Sequence, residues 1–230
     1  MSRIDFLQRY AKDSHYDINR EIHRQLDSKD AYDRREAITQ PGAAPDHISR
    51  ALRDSNSAVR VAAASHKNIT PELLTIALND KRPEVREFAA DNQNCNFENI
   101  EKAMRDEDVN VRMSAAFNPS ASHDQIDRAL NDPERLVHQY AAANISASPA
   151  NLEKALAHPH PTIRETAAKN PNIGSKQLHI ALSDSDDYVR LHAAKNPNAT
   201  KEHLDRALAD ESPHVNFAAK ANPNYKKYFK

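Results

Sequence analysis

The stretch Tyr188–Asp210, YVRLHAAKNPNATKEHLDRALAD, is nearly a copy of Thr162–Asp184, TIRETAAKNPNIGSKQLHIALSD. The offset is 26 residues. A chain that repeats itself at a fixed spacing builds one supersecondary unit many times over, so the period must be settled before any single element is assigned.

Working outward from Val189-Arg190, the same pair stands at Val59-Arg60, Val85-Arg86, Val111-Arg112, Val137-His138, Ile163-Arg164 and Val215-Asn216, with no insertion or deletion. An Ala follows four residues after each, from Ala63 to Ala219. Ala-Leu recurs at Ala51-Leu52, Ala77-Leu78, Ala129-Leu130, Ala155-Leu156, Ala181-Leu182 and Ala207-Leu208, with Ala103-Met104 in the remaining slot. The register also runs backward, to Arg34 with Ala37 and to Ile22 with Leu26. The repeats therefore fill nearly the whole chain.

Within a unit the apolar spacing is helical. Val85, Phe88 and Ala89 follow i, i+3, i+4, as do Ile126, Ala129 and Leu130 in the second segment. The second helix has start signals: Thr70-Pro71-Glu72 and Ser148-Pro149 place a cap before a proline, Ser122 and Thr200 cap without one, and Gly174 is the weak cap. The first helix stops at Asn92, Asn118, Asn144, Asn170, Asn196 or Asn222, often followed by Pro. Asn tolerates the left-handed conformation of a helix terminus, and Pro cannot continue the helix. Helices of roughly nine residues are marginal alone and must be held by stacking on neighbours. The expected fold is all-α, a right-handed α-solenoid of about eight 26-residue two-helix repeats. Residues 1–30 are expected to form N-terminal capping helices and a degenerate repeat, with Ile4, Phe6, Leu7 and Tyr10 covering the open core. Tandem repeats occupy 31–224, and 225–230 are a basic aromatic tail.

The string D-x-x-x-x-V-R-x-x-x-A-A, as in Asp184–Ala194, resembles HEAT-like repeats, including the phycobilisome-lyase type. The longer pattern from VR and AA through N-P-N to L-x-x-A-L-x-D resembles the leucine-rich repeat variant. The resemblance covers about residues 18–224 and implies architecture while leaving function open. It implies that Asp and Arg six apart form a ladder between neighbouring units. The founding variant family carries a cysteine-ligated iron–sulfur cluster, for which the lone Cys95 of this chain leaves no ligand set.

Several classes are excluded or left without support. The 230 residues carry a formal net charge of −1, so no overall field draws the chain to nucleic acid or anionic membrane. No apolar run approaches the roughly 18 residues of a membrane span, and MSRIDFLQRYAKD is too polar for a signal peptide. Cys95 sits in a column of Ile69, Ala121, Ala147, Ile173 and Ala199 and reads as a small hydrophobe. Two glycines leave little for a phosphate-cradling loop, and no Ser-His-Asp or paired-carboxylate motif is present. The histidines read as scattered over exposed columns, as at His47 and His203. The AHPHP turn offers a metal His158 and His160, too few for a stable site. The expectation is a soluble cytoplasmic protein with no catalytic residues, cofactor, metal, membrane contact or small-molecule substrate.

The candidate sites are columns of the repeat. Asp54/Arg60, Asp80/Arg86, Asp106/Arg112 and Asp184/Arg190 read as a structural ladder of charge-assisted hydrogen bonds. A basic column on the second helix, Arg50, Lys102, Arg128, Lys154 and Arg206, together with Lys226 and Lys227 of the tail, suits a phosphate backbone. Against that, Asp46, Glu98, Asp124 and Glu202 stand four residues before a base, the ordinary helix-stabilising order. Glu101, Asp127 and Glu153 add a parallel acidic stripe that repels phosphate. Variable columns on the first helix bring apolar residues to the surface at Met113 with Phe117 and at Leu191 with Phe217, which suits a protein partner. The column Ala62, Phe88, Ser114, Tyr140, Thr166, His192 reads as packing at the edge of the core. Another protein is the expected partner, with nucleic acid the alternative.

Overall fold

The computed structural model describes residues 18–229. The N-terminal helix expected around Ile4–Tyr10 lies outside them. Seventeen helices and no strand occur among the described residues, so the protein is an all-α helical-repeat fold, an α-solenoid. The chain divides into two compact units, Met1–Asn94 and Cys95–Lys230. In the first lie α1 (Ile18–Gln25), α2 (Ala31–Ile38), α3 (Pro45–Ala51), α4 (Ser57–Ala64), α5 (Pro71–Ala77) and α6 (Pro83–Asp91). The second holds α7 (Phe97–Ala103), α8 (Val109–Phe117), α9 (His123–Ala129), α10 (Arg135–Ala143) and α11 (Pro149–Leu156). It continues with α12 (Pro161–Lys169), α13 (Ser175–Ala181), α14 (Asp187–Lys195), α15 (Lys201–Leu208), α16 (Pro213–Ala221) and the short α17 (Tyr225–Tyr228).

First helices of successive repeats pack on one another, α2–α4–α6 in one unit and α8–α10–α12–α14–α16 in the other. The second helices α9, α11 and α13 form a parallel layer. Both layers meet in a core built from the invariant columns: Val59, Ala63, Ala64, Leu74 and Ala77 are buried, as are Val189, Ala193, Ala194, Leu204 and Ala207. Alanine there lets backbones approach closely, and the branched residues fill the space between layers. Thr70, Ser122 and Ser148 each accept the backbone N–H three residues on, as caps do, whereas Gly174 offers no side chain.

The asparagine that ends each first helix does something other than adopt the left-handed conformation. No non-glycine residue among those described has positive φ, and Asn170 and Asn196 are extended. Their side chains are staples. Asn196 Nδ2 donates to the carbonyls of Ala168 and Asn170 at 3.0 and 3.2 Å, and its Oδ1 accepts Asn198 N–H at 2.9 Å. Asn198 Nδ2 in turn donates to Pro171 and Ile173 carbonyls at 2.7 and 3.0 Å. Both asparagines of N-P-N thus tie one repeat to the preceding one. His66 takes the same place in the first unit, with Nε2 on the Gln40 carbonyl and Nδ1 accepting Asn68 N–H.

His47 and His203 are buried, not exposed. They share a column with Asn99, Gln125, Asn151 and Gln177, and the side chains serve two purposes at once. His203 Nδ1 accepts the N–H of Thr200 at the start of its helix, and Nε2 reaches the Ser175 carbonyl of the previous repeat at 3.1 Å. Gln125 makes the same pair of contacts to Ser122 N–H and the Phe97 carbonyl. Burial pulls the His203 pKa below its ordinary value.

Candidate functional site

Five ladder arginines take their carboxylates from 20 residues ahead instead of six behind. Arg34 pairs with Asp54, Arg60 with Asp80, Arg112 with Asp132, Arg164 with Asp184 and Arg190 with Asp210, each through two nitrogens at 2.6–3.1 Å. The residue six behind supplies only its carbonyl, as Asp54 does to Arg60, Asp80 to Arg86, Asp106 to Arg112 and Asp184 to Arg190. Hydrogen bonding from Arg34 holds the Asp54 carboxyl below the usual carboxylate range, against the opposing pull of burial. These guanidiniums are enclosed and paired with carboxylates, so they offer no row of free cations.

One rung is built differently. His138 stands for Arg and His158 for Asp, and the two rings face each other, His138 Nδ1 to His158 Nε2 at 3.0 Å. His158 Nδ1 accepts His160 N–H at 3.0 Å, which leaves its proton on Nε2. His138 then receives that proton's hydrogen bond at Nδ1 and donates from Nε2 to the Asp132 carbonyl. Neutral rings satisfy all three bonds; an added proton on either ring leaves two hydrogens facing each other. Burial, followed by the neighbouring His138, lowers the His158 pKa.

The basic column pairs between repeats and not within a helix. Arg50 bonds Asp27, Arg128 grips Glu101 with both terminal nitrogens, and Lys154 Nζ meets Asp127 Oδ1 at 2.7 Å. The acidic stripe is therefore the partner of the basic one. Lys102 and Arg206 stand exposed on α7 and α15. Lys226 and Lys227 are exposed on α17, which packs its aromatic side against α15 and α16: Tyr225 stacks on Phe229, and Lys201 lies over that ring.

Two outward surfaces of the first-helix layer remain. In the second unit, Phe117 is 45% exposed and meets Tyr140 edge to face, ring centres 5.7 Å apart. Half-buried Met113 precedes Phe117 by one turn on α8, and Leu136, 47% exposed, precedes Tyr140 by one turn on α10. Tyr140 and Phe88 stand on the outer face and do not seal the core edge. Leu191 is half-buried on α14, and Phe217 on the neighbouring α16 is 72% exposed. In the first unit, a groove of about 770 Å³ runs along α4. Its floor is Ala58, Val61, Ala62 and Ser65, with Arg35 on the α2 wall and Phe88 on the α6 wall. A row-by-row comparison of the first helices would have found it in the sequence, because α4 alone carries small residues at all four outward positions.

Among the described residues, His23, Asp46 and His47 could converge on a cation. His47 already accepts Ala44 N–H at Nδ1, at 3.1 Å, so only its Nε2 could face a cation.

No family model matches the sequence, and no curated protein does. Among solved structures, a leucine-rich repeat variant with a novel repetitive structural motif aligns over 87% of this chain and 79% of its own, at 25% identity and a TM-score of 0.62. This chain is a helical-repeat protein. The HEAT-like Escherichia coli protein YibA aligns over 99% of this helical-repeat protein and 98% of its own length, at 20% identity and a TM-score of 0.51, a likeness of fold.

Proposed function

We propose that this helical-repeat protein is a non-catalytic, cytoplasmic scaffold that binds another protein through the outer face of its first-helix layer. The observation that carries this is the cluster of Phe117, Tyr140 and Leu136 with Met113 on α8 and α10. Aromatic and aliphatic groups held in place by rigid helices and exposed together suit a partner's apolar residues, and such clusters concentrate binding energy. The alternative, phosphate contact through the Lys/Arg column, has less support because Arg50, Arg128 and Lys154 already face carboxylates.

The test places a photo-crosslinking amino acid at Ile145, an exposed residue just beyond α10. Discrete protein adducts are expected in cells, lost on Phe117→Asp or Leu136→Asp with circular dichroism unchanged. Adducts to nucleic acid, or protein adducts indifferent to both substitutions, would count against it.

A further inference from the structure

The groove along α4 points to a particular kind of partner, an inference that rests on the scaffold reading. The first helices of one unit present different side chains at the same outward positions: Tyr32, Arg35, Glu36 and Thr39 on α2, then Ala58, Val61, Ala62 and Ser65 on α4, then Glu84, Glu87, Phe88 and Asp91 on α6. The middle row is thus recessed between two taller ones. Packed helices lie roughly 8–10 Å apart, so a row of short side chains flanked by long ones leaves a channel about one helix wide. Ala58 with Ala62, and Val61 with Ser65, repeat at i, i+4, the spacing that lets another helix seat closely.

Among the residues that line this channel the bases Arg35, Lys67 and Arg82 face one carboxylate, Glu84, while Glu36, Glu87 and Asp91 stand on the flanking rows outside the lining. Arg35 and Lys67 line it, and neither side chain is in an ion pair among the described residues. Arg82 sits at the mouth, where the one lining carboxylate, Glu84, is already held by it at 3.3 Å. His66, also lining, has both ring nitrogens engaged by backbone groups. The channel therefore offers an apolar floor, an aromatic wall at Phe88 and two unspent cations. We infer that the α4 groove receives an acidic amphipathic helix of a partner protein, its apolar stripe on Ala58, Val61 and Ala62 and its carboxylates toward Arg35 and Lys67.

The test pans displayed random peptides of about 16 residues, enough for four helical turns, against the full chain, and measures enriched peptides by fluorescence anisotropy. Acidic sequences with apolar residues three and four apart are expected. Affinity should fall at least about tenfold on Ser65→Trp, which fills the floor from an exposed position, and on Arg35→Glu with Lys67→Glu. Neither variant touches the core, and circular dichroism checks the fold. Enriched peptides that are basic, that ignore these substitutions, or that are lost instead on Phe117→Asp would overturn the groove while leaving the scaffold reading intact. Failure to enrich any peptide would overturn the groove, whereas the scaffold reading falls only if crosslinking at Ile145 gives no protein adduct. Binding of labelled oligo-dT that is lost on the charge reversal, with no peptide bound, would assign the cations to nucleic acid and also overturn the inference.

Discussion

Asn196 and Asn198 stand two residues apart and make the same kinds of bond, yet their burial differs. Asn196 is buried, so truncation strands the Ala168 and Asn170 carbonyls away from water. Asn198 is exposed, and water can replace what it loses. Asn196→Ala should cost about 1–3 kcal/mol in urea unfolding and Asn198→Ala less than about 1 kcal/mol. Equal costs would mean that the staples matter less than the helix ends they sit on. The N-P-N motif was plain in the sequence as a helix stop. Its second task was hidden because the acceptors lie 25–28 residues back, and only the stacking of repeats makes such a distance short.

At the scale of the element, the His138–His158 rung sets α10 and its neighbours apart from the Arg–Asp rungs. A histidine whose pKa is lowered by folding binds fewer protons folded than unfolded. Stability is then full above the unfolded value of about 6.5 and declines as pH falls through it. The Arg164 cation beside the rung adds to this sense. The carboxylates behave differently: with pKa lowered, the Asp54 rung holds until acid reaches below the ordinary carboxylate range of about 4. Replacing His138→Arg together with His158→Asp rebuilds the ordinary rung. Urea midpoints of the two proteins, compared between about pH 7 and pH 5, should diverge as pH falls, with the double variant the steadier. Parallel curves would show that the histidine rung carries none of the acid sensitivity. In the sequence His138 falls in the Val-Arg column and His158 in the AHPHP turn, and nothing local joins them. Their offset of 20 residues is that of every Arg–Asp rung, which is what identifies them as a pair.

For the molecule as a whole, the staples and rungs described above join neighbouring repeats, so disturbance should stay local. Hydrogen exchange of Asn196→Ala should rise in α12, α14 and α16 and leave residues 18–94 unchanged. A rise throughout would mean one cooperative body. The fold was legible in the sequence because its columns do not vary: Val, Ala and Leu return every 26 residues wherever the core needs them. The candidate surfaces were less so. Met113 with Phe117 stood out as an apolar spot in variable columns, but Tyr140, which meets Phe117 edge to face, was taken for packing. The α4 groove is defined by what is missing from one row relative to the next, and a column-by-column reading passes over it.

The constant offsets have an evolutionary corollary. Asn196 reaches carbonyls 28 and 26 residues behind it, and Arg190 a carboxylate 20 ahead. If 161–186 were excised, Asn196 would meet the carbonyls of Ala142 and Asn144, which Asn170 now holds. The same chemistry would close over the join. Gene duplication or deletion in steps of one repeat thus adds or removes rows without posing a new folding problem, and each copied row is free to acquire its own outward residues, as α4 has.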